Sequence, residues 1–175
     1  MFPERIETER LVLRRPRESD ARDIFEAYAQ DPLVTRFLMW RAHESEDTVR
    51  GFLASCIAAW ETGSPLTYAI TEAPDGPVIG MIDARPKESF VDIGYVLSRS
   101  RWGMGFMPEA IAALAAKAHE VGFARVQAVC DVENLPSQRA LEKAGFEREA
   151  RLDRHMVLPN VSLEPRDCFR FTHVR

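Results

Sequence analysis

The chain has 175 residues, of which 46% are hydrophobic and 29% charged, and this composition predicts one globular domain over residues 1–175. Its formal net charge of −4 disfavours nucleic acid as a partner, because a nucleic-acid-binding surface needs an excess of basic side chains. We find neither a signal peptide nor an apolar run long enough to cross a membrane, so we expect a cytoplasmic protein with no membrane partner.

The cysteines and histidines do not favour a metal site or a disulfide framework. Cys56, Cys130 and Cys168 lie far apart, and none belongs to a C-x-x-C pair. The four histidines show no ligand spacing. We therefore expect no metal, and we interpret Cys56 and Cys130 as small buried hydrophobic residues.

The first half of the chain predicts one strand, two helices and a hairpin. In chain order these are a strand within Glu9–Arg15, a helix that begins at Ser19 or Asp20, a helix that begins near Ser45, and strands at Leu66–Thr71 and Val78–Ala84. Pro and Gly residues between the two strands indicate a tight turn, which makes them a hairpin.

The second half alternates strands and helices. Its predicted elements are a strand at Phe90–Leu97, a helix at Phe106–Val121, a strand at Arg125–Asp131, a helix at Asn134–Ala144, and strands at Phe146–Leu158 and Asp167–Thr172. The strand–helix–strand unit implies one parallel pair. The order β-α-α-β-β-β-α-β-α-β-β predicts a mixed α/β sheet that is antiparallel elsewhere.

A glycine-paired turn joins the Phe90–Leu97 strand to the following helix. Gly103 and Gly105 lack Cβ, so several backbone N–H groups can point into one concavity there. The helix that follows adds unpaired first-turn N–H groups and the positive end of its dipole. Glycines also occur in such turns for structural reasons alone, so the G-x-G pattern is only a weak indication of a phosphate-bearing ligand.

Two separated segments resemble one family. Gly103–Ala110 is similar to the acetyl-CoA pyrophosphate loop of the GNAT N-acetyltransferase superfamily, and Asn134–Phe146 resembles its N-x-x-S…L-E-K-x-G-F helix. Glu7–Arg14 and Ile93–Leu97 look like the branch with the RimJ and RimL ribosomal-protein N-terminal acetyltransferases. The resemblance implies the GNAT fold, whose mostly antiparallel sheet is splayed at a parallel pair, and acetyl-CoA as cosubstrate.

The resemblance also implies which residues contact the cofactor. They are Tyr95, Val96 and Leu97 on the strand, Trp102, Gly103, Met104, Gly105, Phe106 and Met107 in the loop, and Asn134 and Ser137 on the later helix. A backbone N–H near Val96 or Leu97 would polarise the thioester carbonyl. The loop departs from the family pattern at Trp102, where Arg or Gln is usual, and at Met107, where Gly or Ala is usual.

The resemblance makes Ser137 the candidate general acid for the departing thiolate. Asn134 and Ser137 could instead be ordinary helix-start residues. Asp92, which precedes Ile93-Gly94-Tyr95, is the candidate general base, with a plain surface aspartate as the alternative. A weak base favours an α-amine, whose pKa is about 7.7–8.0, over lysine at about 10.4.

Candidate acceptor-binding residues lie on segments expected to border the substrate groove. They are Phe37, Trp40, Arg41, His155, and the loop residues Asn160, Glu164 and Arg166. We slightly prefer an ordinary polar turn at Glu164–Asp167, and His155 could equally be a hydrogen-bonded strand histidine.

Together these features predict an N-acetyltransferase that moves acetyl from acetyl-CoA to a primary amine by direct attack in a ternary complex. The acceptor could be a protein N-terminal α-amine or a small-molecule amine, and the protein a monomer or homodimer. The alternative is a non-catalytic acyl-CoA-binding module, which would need neither Ser137 nor Asp92.

Overall fold

The computed structural model describes residues 1–175 and is organised around an eight-stranded sheet with the order β1-β2-β3-β4-β5-β6-β8-β7. The strands are β1 (Arg5–Glu7), β2 (Val12–Arg14), β3 (Leu66–Thr71), β4 (Val78–Pro86), β5 (Val91–Leu97), β6 (Arg125–Asp131), β7 (Glu147–Leu158) and β8 (Ser162–Val174). Every neighbouring pair is antiparallel except β5 and β6. The mixed sheet that the sequence predicts is therefore confirmed.

Five α-helices cover the two faces of the sheet. They are α1 (Ala21–Ile24), α2 (Pro32–Thr35), α3 (Glu46–Thr62), α4 (Phe106–Glu120) and α5 (Leu135–Lys143). The larger apolar core lies under α4 and α5, and the smaller core lies under α1 and α3. No helix has both the length and the apolar character needed to span a bilayer.

The long helices begin and end where the sequence indicates. Ser45 caps α3 by accepting a hydrogen bond from the Thr48 N–H, and Gly63 ends it at φ 81°. Gly105, at φ 80°, precedes α4. Asn134 caps α5 through its side-chain oxygen.

The N-terminal helix differs from the prediction. A 3₁₀ turn at Glu18–Asp20 leads into α1, which continues as a π-helical turn at Phe25–Ala29. Ser19 makes no cap. The Asp20 side chain does not cap α1 either: it accepts two hydrogen bonds from the buried Arg14 guanidinium at 2.8 and 2.9 Å and one from the Arg17 N–H at 2.7 Å, at the start of the 3₁₀ turn. The sequence does not predict β1 or α2, which have only 3 and 4 residues and hence too few positions to show a period.

The preferred polar turn at Glu164–Asp167 is wrong. These residues belong to β8, which begins at Ser162, so the connection from β7 is only Pro159–Val161. Ion pairs from Arg154 to Glu164 and from Arg151 to Asp167 link the strands across this region. Cross-strand pairing of this kind favours strand over turn despite Pro165.

The parallel pair of β5 and β6 is short, and the two strands then separate. Val91–Ile93 pairs with Val126–Ala128, and no pairing continues beyond these residues. From there to Leu97, β5 is paired only with β4, while β6 is paired only with β8 as far as Asp131. The sheet therefore contains a V-shaped opening, as the splayed GNAT architecture predicts.

Candidate cofactor and acceptor site

The glycine-paired turn lies beyond the open end of β5 and carries a row of free donors. Gly103 and Gly105 have φ values of 76° and 80°. The backbone N–H groups of residues 103–107 donate no hydrogen bond within the protein. Five consecutive free N–H groups at the start of α4 suit an anion such as a pyrophosphate, because they supply donors and the positive end of the helix dipole. The residues of the loop therefore fit the phosphate end of coenzyme A.

The register of β5 identifies which backbone donors face the opening. The Ser98 N–H donates to the Ile79 carbonyl at 2.8 Å, so alternate residues of β5 bond to β4 and the others point towards β6. The N–H of Val96 thus faces β4, while the N–H of Leu97 faces the opening. Trp102, in the turn, donates its indole N–H to the Leu97 carbonyl at 2.9 Å. Of the two expected thioester donors, the geometry favours Leu97.

Tyr95 bridges the opening to the start of α5. Its hydroxyl lies 2.7 Å from Ser137 Oγ, and the Ser137 N–H donates to Asn134 Oδ1 at 3.3 Å. Burial raises the pKa of Tyr95, and the hydrogen bond with Ser137 opposes that rise. Burial also raises the pKa of the nearby Cys130 thiol to about 11. Ser137 is thus surrounded by neutral groups, and Asn134 is a helix cap whatever else it binds.

Asp92 belongs to a cluster of two carboxylates that share one arginine. Arg85 Nη2 lies 3.1 Å from Asp92 Oδ2, and Arg85 Nε lies 3.4 Å from Asp83 Oδ1. The Gly94 N–H donates to Asp83 Oδ1 at 3.0 Å, and Gln127 is the register partner of Asp92 on β6. Burial raises the pKa of both carboxyls, and the charge of Arg85 limits the rise. Asp92 can accept a proton, but it is a weak base.

The acceptor candidates lie on two segments that one side chain ties together. Asn160, between β7 and β8, donates from Nδ2 to the carbonyl oxygens of Thr35 and Trp40, both at 2.8 Å. Trp40 packs against the His43 ring at 5.3 Å. Asn160 therefore holds the β7–β8 hairpin against the segment from Thr35 to Trp40.

The other acceptor candidates differ in their exposure and in the contacts that their side chains make. Phe37 is partly buried under the Arg36 guanidinium, and Arg41 is exposed. His155 is exposed and close enough to Asp92 for its charge to affect that pKa. The Arg166 guanidinium is bound to Asp131 at 2.6 and 3.1 Å, and Glu164 pairs with Arg154.

Four polar residues near the site are not predicted from the sequence. They are Arg10, Asp83, Arg85 and Glu109. The sequence does carry a signal for Asp83, because a charged residue is unusual inside an otherwise apolar run. Asp83 also precedes Arg85 by two positions, which puts the two side chains on the same face of a strand. Arg10 and Glu109 lie within Glu7–Arg14 and Gly103–Ala110, but their contact spans 99 residues of sequence.

Comparison with known proteins adds independent information. The family model described as "Acetyltransferase (GNAT) domain" matches residues 10–147. The chain is 29% identical over 160 residues to the uncharacterized N-acetyltransferase YoaA of Bacillus subtilis (strain 168), with 89% of each protein covered. It is 30% identical over 159 residues to the uncharacterized N-acetyltransferase p20 of Bacillus licheniformis, with 85% of each covered.

Solved structures share the fold. An acetyltransferase of the GNAT family from Bacillus anthracis superposes with a TM-score of 0.84 at 24% identity, covering 97% of this chain and 98% of that one. RimL, a ribosomal L7/L12 α-N-protein acetyltransferase in complex with coenzyme A, gives a TM-score of 0.84 at 21% identity, with 98% of both chains covered. At these identities the likeness concerns the fold.

Proposed function

This chain belongs to the GNAT acetyltransferase family and is an acetyl-CoA-dependent N-acetyltransferase, and from that premise we propose that its acceptor is an α-amine, such as the N-terminus of a peptide or protein. The observation that carries the proposal is Asp92, a carboxylate beside the β5–β6 opening whose pKa is raised by burial, a rise that the charge of Arg85 limits. The RimJ/RimL-like sequence features at Glu7–Arg14 and Ile93–Leu97 support the same acceptor class.

In this proposal the five free N–H groups of residues 103–107 hold the pyrophosphate of coenzyme A. The open edge of β5, from Tyr95 to Leu97, pairs with the amides of the pantetheine arm in the way a neighbouring strand would. The thioester then lies in the opening, where the Leu97 N–H donates to its carbonyl oxygen. A preorganised donor of this kind contributes about 3–4 kcal/mol to other acyl-transfer enzymes.

The amine nitrogen attacks the thioester carbon, and the carbon–sulfur bond breaks with its electron pair on sulfur. Ser137 donates a proton to the departing thiolate and takes one back from water, and the Tyr95 hydroxyl, 2.7 Å from Ser137 Oγ, orients that serine. A thiolate has a solution pKa of about 8.5, so it needs only modest help. Asp92 accepts the proton that the amine loses, directly or through water.

The weakness of Asp92 as a base selects the acceptor. Removing a proton from an α-ammonium, with a pKa of about 7.7–8.0, costs roughly 3.5 kcal/mol less than removing one from lysine at about 10.4. Because the charge of Arg85 limits the rise that burial causes in the pKa of Asp92, this carboxylate is a poor base for a lysine ammonium at neutral pH. An amine that is partly neutral in solution is therefore the better substrate.

A matched peptide panel tests this proposal through release of free CoA thiol. One peptide has a free N-terminus and no lysine, and its partner has a blocked N-terminus and one internal lysine. We expect turnover with the first and at most weak turnover with the second. Faster turnover of the lysine peptide, or of small diamines only, contradicts the α-amine proposal while leaving the enzyme class intact.

A further inference from the structure

Arg10 connects the N-terminal segment to the phosphate loop and to the first turns of α4. Its Nη1 donates to the Met104 carbonyl at 2.9 Å, and its Nε donates to Glu109 Oε2 at 2.7 Å. Its own backbone N–H and the Thr8 hydroxyl both donate to Glu109 Oε1, at 2.9 and 2.6 Å. The guanidinium carbon also stacks 4.6 Å from the centre of the Phe106 ring. One side chain thus contacts the loop and the helix that follows it.

The bond to Met104 fixes the direction of a loop donor. A trans peptide is planar, so its C=O and the following N–H point in opposite directions. Because Arg10 holds the Met104 carbonyl, the Gly105 N–H is turned to the side of the loop away from the guanidinium. Gly105 is held at φ 80°, and a Cβ there would lie 3.3 Å from Arg10 Nη2.

The pair with Glu109 controls charge beside the loop. Glu109 lies in the first turn of α4, and its side chain is only 18% exposed. Without a partner, a carboxylate at this place would repel a pyrophosphate on the neighbouring N–H groups. Arg10 supplies a positive charge at 2.7 Å and neutralises it.

We propose that Arg10 is a positioning residue for the phosphates of the cofactor, which orients the Met104–Gly105 peptide and neutralises Glu109. The proposal rests on the proposed role of the loop in binding coenzyme A. Arg10 acts here through the loop and through Glu109, without itself forming the anion site. Its effect is therefore confined to donors that carry phosphates.

Two acetyl donors test the proposal, acetyl-CoA and the acetyl thioester of pantetheine, which lacks the phosphates. For Arg10→Ala we expect kcat/KM with acetyl-CoA to fall about 10-fold through KM, the size of a partly buried charge effect at a helix terminus. We expect kcat/KM with acetyl-pantetheine to change less than about twofold, as for an uninvolved surface charge. Arg125→Ala is the matched control, because Arg125 forms a comparable pair with Glu149 at 2.6 Å on another part of the sheet. An equal loss with both donors, or no loss, overturns the proposal.

The double variant Arg10→Ala/Glu109→Gln separates positioning from direct contact. If Arg10 neutralises Glu109, removing both charges restores part of the lost acetyl-CoA affinity, by about threefold. If Arg10 touched the phosphates directly, the double variant would bind no better than Arg10→Ala, and the positioning role would be wrong. Arg10→Lys retains the charge but not the forked geometry, so it should fall between wild type and Arg10→Ala.

The Gly105→Glu variant distinguishes a wrong role for Arg10 from a wrong assignment of the loop as the cofactor site. If Gly105→Glu loses CoA binding while Arg10→Ala keeps it, only the role of Arg10 is wrong. If Gly105→Glu also binds coenzyme A normally, the loop is not the cofactor site.

Discussion

On the proposed cofactor side, the free donors are backbone N–H groups of five consecutive residues, 103–107, whereas on the proposed acceptor side the side chain of Asn160 joins distant segments. Asn160 reaches Thr35 and Trp40 across 125 and 120 residues of sequence. A backbone N–H can donate whatever side chain its residue carries. The loop can therefore have Trp102 and Met107 where the family usually has other residues. The proposed acceptor side depends on the side chains themselves, so single substitutions there should alter substrate specificity.

The largest expected effect is on the cofactor side, from Gly105→Glu. The residue sits at φ 80°, where any side chain is strained, and a Cβ there would lie 3.3 Å from Arg10 Nη2, so the substitution distorts the turn that carries the donors. We expect CoA affinity measured by calorimetry to fall by about 100-fold or more, equivalent to roughly 3 kcal/mol. Gly63→Glu is the matched control, since Gly63 has φ 81° but lies at the end of α3. It should bind coenzyme A as the wild type does.

Asp92→Asn tests the general-base role of Asp92, which we place between the cofactor side and the acceptor side. We expect kcat/KM for the amine to fall about 100-fold, as for other general bases, with CoA affinity unchanged. Burial raises the pKa of Asp92, and the base must be ionised. Wild-type activity therefore falls as the pH drops through a pKa above the usual aspartate range, and Asp92→Asn should lack that decline.

Asp83→Asn is the control for this assignment, because Asp83 contacts the same arginine at 3.4 Å. We expect a loss of less than about 10-fold, because it removes a neighbouring charge and no proton acceptor. If Asp83→Asn is the more damaging change, the base is Asp83.

Ser137→Ala should have a smaller effect. We expect kcat to fall about 10-fold without loss of activity, since a thiolate with a pKa of about 8.5 leaves tolerably unaided. Tyr95→Phe keeps the serine hydroxyl and removes only its 2.7 Å partner, so its loss of kcat should be smaller. Unaltered turnover in Ser137→Ala would remove the general-acid assignment.

The smallest expected effect is on the acceptor side, from Asn160→Ala. Loss of two hydrogen bonds at 2.8 Å loosens the groove, so KM for the amine should rise about three- to fivefold while CoA affinity stays the same. A melting curve serves as the control for folding. An equal rise in KM for acetyl-CoA would show that Asn160 affects binding of the cofactor as well as binding of the amine, contrary to this prediction.

Local patterns predicted the elements that are long or marked by special residues. The strands Leu66–Thr71 and Arg125–Asp131 match the structure to the residue, and α4 ends one residue before its predicted end. β1 and α2 were missed because 3 and 4 residues show no period, although β2, which is equally short, was predicted from its apolar residues. Glu164–Asp167 was misassigned because strand pairing with β7 outweighs the local turn preference of these residues.

The sequence by itself determined the α/β order, the glycine turn at Gly103 and Gly105, the cap at Asn134 and the family, because each depends on residues close together in the chain. Only the tertiary structure decided that Val96 faces β4 and Leu97 the opening, since strand register is a property of two segments. It also decided that Arg85 joins Asp83 to Asp92 and that Arg10 reaches Glu109. Such contacts depend on side-chain geometry between distant segments, which no local pattern encodes.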